Sequence, residues 1–139
     1  MVLICGGRAV LVARDEVPDM ALLSQRLEGC TLLHGVPSLM SEIVGWRRQS
    51  PRSLSEIRML FVGGDKVSPS LLSDMCEVFP QARVYELYGP TESTILSTSL
   101  EVDDAALAWC NPVIGQALSG RQLYVLDGLT QPVPGVRSL

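Results

Sequence analysis

The sequence predicts an α/β fold in which helices flank a mainly parallel sheet, and three observations lead to this fold class. Short apolar runs alternate with amphipathic segments of helical spacing, which is typical of parallel strands joined by crossover helices. Two of these runs end in glycine-containing loops, after Val62 and after Leu87. The chain is also 47% hydrophobic and only 19% charged, a composition that can build a core.

The first half of the chain is predicted to hold three strands and two helices. Residues 2–5 and 9–13 are apolar runs separated by two glycines, so they are predicted to be strands joined by a tight turn. A helix is predicted over residues 18–29, between a proline and a glycine, with its leucines on one face. A brief buried strand follows at residues 31–34, and a second helix starts at Pro37.

The second half of the chain continues the alternation of predicted strands and helices. The apolar spacing predicts a strand over residues 57–62, a helix over 68–79 and a strand over 84–87. An apolar-polar stretch at 95–102 and a last strand at 122–126 follow. Because the carboxyl ends of parallel strands lie on one edge of a sheet, the glycine-containing loops are expected on the same rim, where such sheets bind ligands.

Charge and cysteine content exclude several classes of function. The net charge is −4 and the basic residues form no block, so neither nucleic acid nor a membrane surface is an expected partner. No apolar run approaches the ~20 residues of a membrane span, and the first residues lack the basic region of a signal peptide, so a cytoplasmic location is expected. Cys5, Cys30, Cys76 and Cys110 are far apart, which predicts buried or half-buried thiols rather than a disulfide or a zinc site.

The loop after the strand at 84–87 carries several different ligand-binding groups. Gly89 and Pro90 force a turn, and Tyr88 offers a flat ring that could stack on a base. Thr91 offers a hydroxyl for a phosphate oxygen, and Glu92 offers the hard carboxylate that Mg²⁺ prefers. Together these groups would suit a magnesium-bound nucleotide. The residues alone leave a second interpretation open, an ordinary strand-to-loop turn with a helix-capping Thr or Ser.

The run Tyr-Gly-Pro-Thr-Glu-Ser-Thr at residues 88–94 closely resembles the core loop of the adenylate-forming superfamily. Pro90 favours the amino-acid-activating branch, the adenylation domains of nonribosomal peptide synthetases. These enzymes use ATP to join a carboxylic acid to AMP and then pass the acyl group to a thiol. The resemblance implies that Tyr88 stacks on adenine, that Thr91 contacts the α-phosphate and that Glu92 helps to hold Mg²⁺. Thr91 and Glu92 are therefore the catalytic candidates.

Further segments resemble the same branch. Residues 60–65, followed by 67–69, are similar to the family's strand and glycine turn, which adds Gly63 and Gly64 to the expected nucleotide-binding residues. Gly89 of the loop at 88–94 is expected to bind the nucleotide as well. The glycine pair has a simpler alternative, since two glycines after a strand often serve only to permit positive φ. Residues 111–116, 122–127 and 131–134 resemble the region that follows in peptide synthetases.

The resemblance also implies a pocket for the substrate side chain. Its walls would be mostly apolar, with a glycine that leaves room and one histidine as a possible polar contact. The competing interpretation of the apolar members is plain core, and that of the histidine a core or rim residue. The positions that match the family's pocket are His34, Phe61, Gly63, Leu87, Ile95 and Leu96.

Residues 1–139 are expected to form a single partial domain, the central and C-terminal part of an adenylation core. The polar stretch at residues 47–55 is too short to separate two domains. The family's pyrophosphate-binding loop, its ribose-binding Asp and its C-terminal lobe with the catalytic Lys have no counterpart here, so the chain alone is expected to be inactive. The expected partners are a small carboxylic or amino acid and a carrier domain bearing phosphopantetheine. A sheet face left bare is also expected, because parallel sheets bury both faces.

Three other identities remain open from the sequence. The chain could come from an acyl-CoA or aryl-acid ligase, which a carrier segment further along the gene would argue against. It could be a non-catalytic remnant that keeps the fold, which weak nucleotide binding without magnesium would favour. It could also be an unrelated α/β binding domain, in which case Tyr88 and Glu92 would be dispensable.

Overall fold

The computed structural model describes residues 3–51, 54–108 and 113–133. The described chain alternates strands and helices from its first helix to its fourth strand, and a short strand follows. The elements are α1 Met20–Arg26, β1 Leu32–Gly35, α2 Pro37–Gln49, β2 Met59–Gly63, α3 Pro69–Val78, β3 Arg83–Tyr88, a 3₁₀ turn Thr91–Ser93, β4 Thr98–Val102, α4 Asp104–Ala108 and β5 Gln116–Ala117.

The strands form one sheet in the order β1-β2-β3-β4-β5. β1, β2 and β3 are parallel neighbours, and α2 and α3 make the crossovers between them. β4 and β5 continue the sheet in antiparallel pairing. The prediction of an α/β fold with a mainly parallel sheet flanked by helices is confirmed.

Helix starts follow local capping chemistry. The Asp19 carboxylate accepts hydrogen bonds from the backbone N–H groups of Ala21 and Leu22, which fixes the start of α1 two residues later than predicted. Ser68 caps α3 through its hydroxyl. Pro37 and the proline after Ser68 occupy first helical positions, where the missing N–H costs nothing.

The core lies between the sheet and α2 and α3. Leu60, Val62 and Val84 point to this side of β2 and β3 and are at most 1% exposed. They pack with fully buried residues of the helices, such as Met40 and Met75. The opposite sheet face, with Leu32, Phe61 and Tyr85, is exposed or half-buried.

The predicted N-terminal strands are wrong where the structure describes them. Residues 3–6 form a turn, closed by the hydrogen bond from the Gly6 N–H to the Leu3 carbonyl (3.1 Å). Residues 9–13 have no strand partner among the described residues, and Leu11 is 90% exposed. The segment is instead tied to α1, because Glu16 accepts a hydrogen bond from the Ala13 N–H and pairs with Arg26.

Within the described residues, the predicted last strand at 122–126 is reduced to one bridged position. Only a single bridge, Leu126 to Pro132, joins this segment to another part of the described chain. The hydrogen bonds of this bridge come from the residues beside the pair: the Asp127 N–H donates to the Gln131 carbonyl and the Val133 N–H to the Val125 carbonyl. Extension of the pairing toward residue 122 would need residues beyond 133, which lie outside the described residues. The Asp127 carboxylate closes a tight turn by accepting from the N–H groups of Leu129 and Gln131.

The polar break predicted at residues 47–55 begins later, because α2 continues to Gln49. The last turn of α2 stays helical because two of its arginines contact α3 or its C-cap. The Arg47 guanidinium lies 5.7 Å from the centre of the Phe79 ring, and Arg48 forms an ion pair with Asp74 at 2.6 Å. α4 and β5 lie in a region that the sequence predicted only as loop.

Of the cysteines, Cys30 and Cys76 are half-buried as predicted, whereas Cys5 is exposed, because it lies in the N-terminal turn and not in a strand. Cys110, Asn111, Pro112 and residues 134–139, on which other predictions depend, lie outside the described residues. No helix of the described ranges is long and apolar enough to cross a membrane.

Candidate functional site

The candidate site is the rim where β2 and β3 end side by side. Gly63, the last residue of β2, pairs with Leu87 of the parallel strand β3. A Cβ atom on Gly63 would lie 2.4 Å from the Leu87 backbone oxygen, so only glycine fits at this crossing. Gly64 follows with φ +86, which turns the chain away from the sheet. The two glycine-containing loops are thus neighbours, as the sequence predicted.

The loop after β3 folds back on itself. Gly89 packs against the returning backbone so closely that a Cβ there would lie 2.3 Å from the Ile95 oxygen and 2.6 Å from the Leu96 Cα. The Ser97 N–H donates to the Tyr88 carbonyl at 2.9 Å and closes the loop. Thr94 and Ile95 have φ of 62° and 71°, a conformation that β-branched residues rarely adopt.

A cavity of about 370 Å³ opens between the two loops. Tyr88 lines it and is 48% exposed, so this residue is accessible to a ligand. Val113 and Ile114 close another side, held there by the pairing of β5 with β4 and by the Thr98 hydroxyl, which donates to the Ile114 carbonyl. The lining residues are Gly64, Asp65, Lys66, Val67, Glu86, Leu87, Tyr88, Gly89, Pro90, Val113 and Ile114.

Glu86 is a lining residue that the sequence analysis missed. Alternation along β3 places it on the same face as the buried Val84. Burial raises the pKa of its carboxyl above the ordinary value of 4.5. The sequence signal that could have identified Glu86 is a charged residue inside the apolar run that precedes Tyr88. Asp65 and Lys66 add two further charged residues to the same cavity.

Thr91 and Glu92 form the start of the 3₁₀ turn and are both exposed. The loop is thus a strand-to-loop turn, but neither Thr nor Ser caps the turn, because Pro90 occupies the capping position. Within the described chain, no side chain hydrogen-bonds to the Glu92 carboxylate. Mg²⁺ is usually held by one or two carboxylates together with substrate phosphates. Thr91 and Glu92 do not line the rim cavity, but they directly follow Pro90, which does, so the Glu92 carboxylate belongs to the loop that borders the cavity.

The predicted substrate-pocket residues divide into two groups. His34 and Phe61 pair in register on β1 and β2, and Leu87 lies on the same face two positions beyond their row. This face is opposite to that of Glu86. Ile95 is exposed and Leu96 half-buried on the returning loop, beside Gly89 rather than beside His34.

Only part of the predicted site lines the rim cavity. Gly64, Leu87, Tyr88 and Gly89 do, whereas Gly63 lies beneath it as the packing point of the two strands. His34 lines a separate cavity that the N-terminal segment 7–10 helps to enclose.

Comparisons with known proteins agree with this geometry. Residues 1–137 match the family described as AMP-binding enzyme. Malpibaldin synthetase of Mortierella alpina is 36% identical over 136 residues, which are 95% of this chain and 2% of that protein. The chain is also similar to the solved structure of CmiS6, with a TM-score of 0.78 and 29% identity over 97% of this chain and 34% of that one.

A second solved structure is that of PA1221, a nonribosomal peptide synthetase protein that contains adenylation and PCP domains. Its TM-score is 0.71, with 26% identity over 83% of this chain and 23% of that one. The chain thus spans a small part of each relative it matches. The match over nearly all of its residues nevertheless shows that this chain belongs to the AMP-binding enzyme family.

Proposed function

We propose that this chain supplies the nucleotide-binding rim of an adenylation domain that converts an amino acid and ATP into aminoacyl-AMP. The observation that carries the proposal is the position of the Tyr-Gly-Pro-Thr-Glu loop. In a chain of the AMP-binding family, this loop borders a cavity of about 370 Å³ at the carboxyl edge of a parallel sheet. That edge is where α/β sheets bind nucleotides.

Each side chain of the loop has a proposed role that follows from its exposure. The ring of the accessible Tyr88 stacks on adenine, and the Thr91 hydroxyl donates to an α-phosphate oxygen. The Glu92 carboxylate holds Mg²⁺, which neutralises phosphate charge when bound. Gly63, Gly64 and Gly89 let the backbone of both loops come close to the nucleotide.

The proposed chemistry is an exchange at the α-phosphorus. A carboxylate oxygen of the amino acid forms a bond to that phosphorus, and the bond to pyrophosphate breaks. A phosphopantetheine thiol of a carrier domain then forms a C–S bond to the acyl carbon, and AMP leaves. The presence of adenylation and PCP domains in one solved relative supports a carrier partner. Since ATP is the co-substrate, we expect the reaction in the cytoplasm.

The proposed acyl pocket lies on the sheet face opposite to Glu86. Phe61 and Leu87 form apolar walls, Gly63 adds no side chain between them, and His34 lies beside Phe61 on the neighbouring strand. We include Ile95 and Leu96, which lie beside Gly89 on the returning loop, because they match pocket positions of the family that this chain resembles. These residues favour an amino acid with an apolar side chain.

The test is ATP–pyrophosphate exchange by the full-length gene product with a panel of amino acids. Tyr88→Ala raises the apparent KM for ATP by about 5- to 150-fold, because stacking of one base is worth about 1–3 kcal/mol. Glu92→Gln lowers the exchange rate at least about tenfold, or ~1.4 kcal/mol of barrier.

Tyr124→Ala and Glu56→Gln are matched controls. Both residues are exposed and neither lines the rim cavity, so both variants keep the unsubstituted rate and KM. Normal exchange in the Tyr88 and Glu92 variants alike would refute the assigned loop roles.

A further inference from the structure

The exposed sheet face carries an aromatic pair beside the proposed acyl pocket. Phe61 and Tyr85 are register partners on the parallel strands β2 and β3. Their ring centres are 5.1 Å apart and the ring planes are inclined by 18°, so the rings are stacked. Stacked aromatic pairs contribute about 0.5–1.5 kcal/mol beyond the area they bury. The orientation of Phe61 therefore depends on Tyr85.

Tyr85 is itself held from the side away from Phe61. The Arg83 guanidinium carbon lies 5.3 Å from the centre of the Tyr85 ring. Glu101 of β4 orients that guanidinium, because its two carboxylate oxygens accept hydrogen bonds from Arg83 Nε (2.7 Å) and Nη2 (2.6 Å). A continuous set of contacts thus runs from β4 to Phe61.

Toward the rim, β2 offers no side chain that packs against the Phe61 ring. The next residue of β2 on the same face is Gly63, which has no side chain to support the ring. A larger residue cannot take that position, since its Cβ would collide with the Leu87 backbone. The stack with Tyr85 is thus the ring contact that the structure records for Phe61.

We propose that Tyr85 is a positioning residue for substrate selection: by stacking on Phe61 it fixes one wall of the acyl pocket and so sets the size of apolar side chain that the enzyme accepts. This inference rests on the proposed function. Tyr85 does not touch the substrate itself, and it lies outside the nucleotide cavity. Its loss therefore affects recognition of the amino acid and leaves recognition of ATP unchanged.

The experiment compares kcat/KM for a small and a large apolar amino acid, together with the KM for ATP, in the full-length gene product. Tyr85→Leu, which keeps bulk but removes the flat ring, changes the ratio of the two kcat/KM values by about 2- to 12-fold, the equivalent of ~0.5–1.5 kcal/mol. Tyr85→Phe keeps the stack and the original ratio. Tyr124→Leu, on an exposed segment, is the matched control and also keeps it.

Arg83→Leu is a second variant that leaves the two stacked rings in place and removes only the group that restrains Tyr85. It shifts the ratio in the same direction by a smaller factor, and it decides the question if Tyr85→Leu does not fold. An unchanged ratio in a folded Tyr85→Leu enzyme, or an equal change in the KM for ATP, overturns the inference. Absence of exchange in the unsubstituted protein would instead refute the proposed function on which the inference rests.

Discussion

Replacement of Gly89 by alanine tests whether the loop after β3 must fold back as tightly as it does. The new Cβ would lie 2.3 Å from the Ile95 oxygen, whereas ordinary contacts begin at 3.4 Å. The returning backbone would therefore have to move by about 1.1 Å. Overpacking of this kind costs about 1–3 kcal/mol of unfolding free energy. A displacement of about 1 Å at a site that positions reactants lowers the rate by about 100-fold.

Two assays measure these effects separately. Urea denaturation gives the loss of unfolding free energy, and ATP–pyrophosphate exchange gives the loss of rate. Gly45→Ala is the matched control, because a Cβ at Gly45 in α2 meets nothing within 4 Å. That variant raises the unfolding free energy by about 0.5–1 kcal/mol and leaves exchange unchanged. A Gly89→Ala protein that keeps its stability and exchanges within twofold of the unsubstituted enzyme would refute the close packing of this loop.

Two further predictions concern the same rim. Burial raises the pKa of the Glu86 carboxyl above 4.5, so its contribution to folding stability is complete below pH 4.5 and is lost as the pH rises through the raised pKa. Glu86→Gln therefore increases the unfolding free energy at pH 7 but not below pH 4.5. No difference between the two proteins at pH 7 in urea titrations would contradict this. Thr94→Gly relieves the left-handed backbone and raises the unfolding free energy by up to about 1 kcal/mol. Ser41→Gly, at an exposed position inside α2, instead lowers it by about 0.5 kcal/mol. Equal losses in both glycine variants would show that Thr94 is not strained.

The rim of the sheet could be predicted because its signals are local. The apolar run that ends at Gly63 and the run that ends at Tyr88 are both punctuated by glycine, so their strands and loops follow from short-range patterns. The identity of the loop followed from the residue types between Tyr88 and Glu92, which need no knowledge of packing.

The errors arose where pairing partners decide the structure. The segment at 122–126 has the alternation of a strand, but the turn at Asp127 follows at once, and only Leu126 forms a bridge within the described residues. The run at 9–13 is apolar and yet has no strand beside it in the described chain. Apolar pattern alone does not distinguish these segments from β2.

Contacts that depend on register were also beyond local reasoning. The stack of Phe61 on Tyr85 exists because β2 and β3 pair in one particular register. The position of Glu86 in the rim cavity depends on the same register. It also depends on Val113 and Ile114, which the pairing of the following strand β5 brings to the cavity. None of these relations can be obtained from spacing along the chain.

The most direct test of the central claim is amino-acid-dependent ATP–pyrophosphate exchange by the full-length gene product, with and without Glu92→Gln. The account predicts exchange that requires an amino acid with an apolar side chain and that falls at least about tenfold when Glu92 loses its charge. Exchange that is absent with every amino acid, or that Glu92→Gln leaves unchanged, would contradict it.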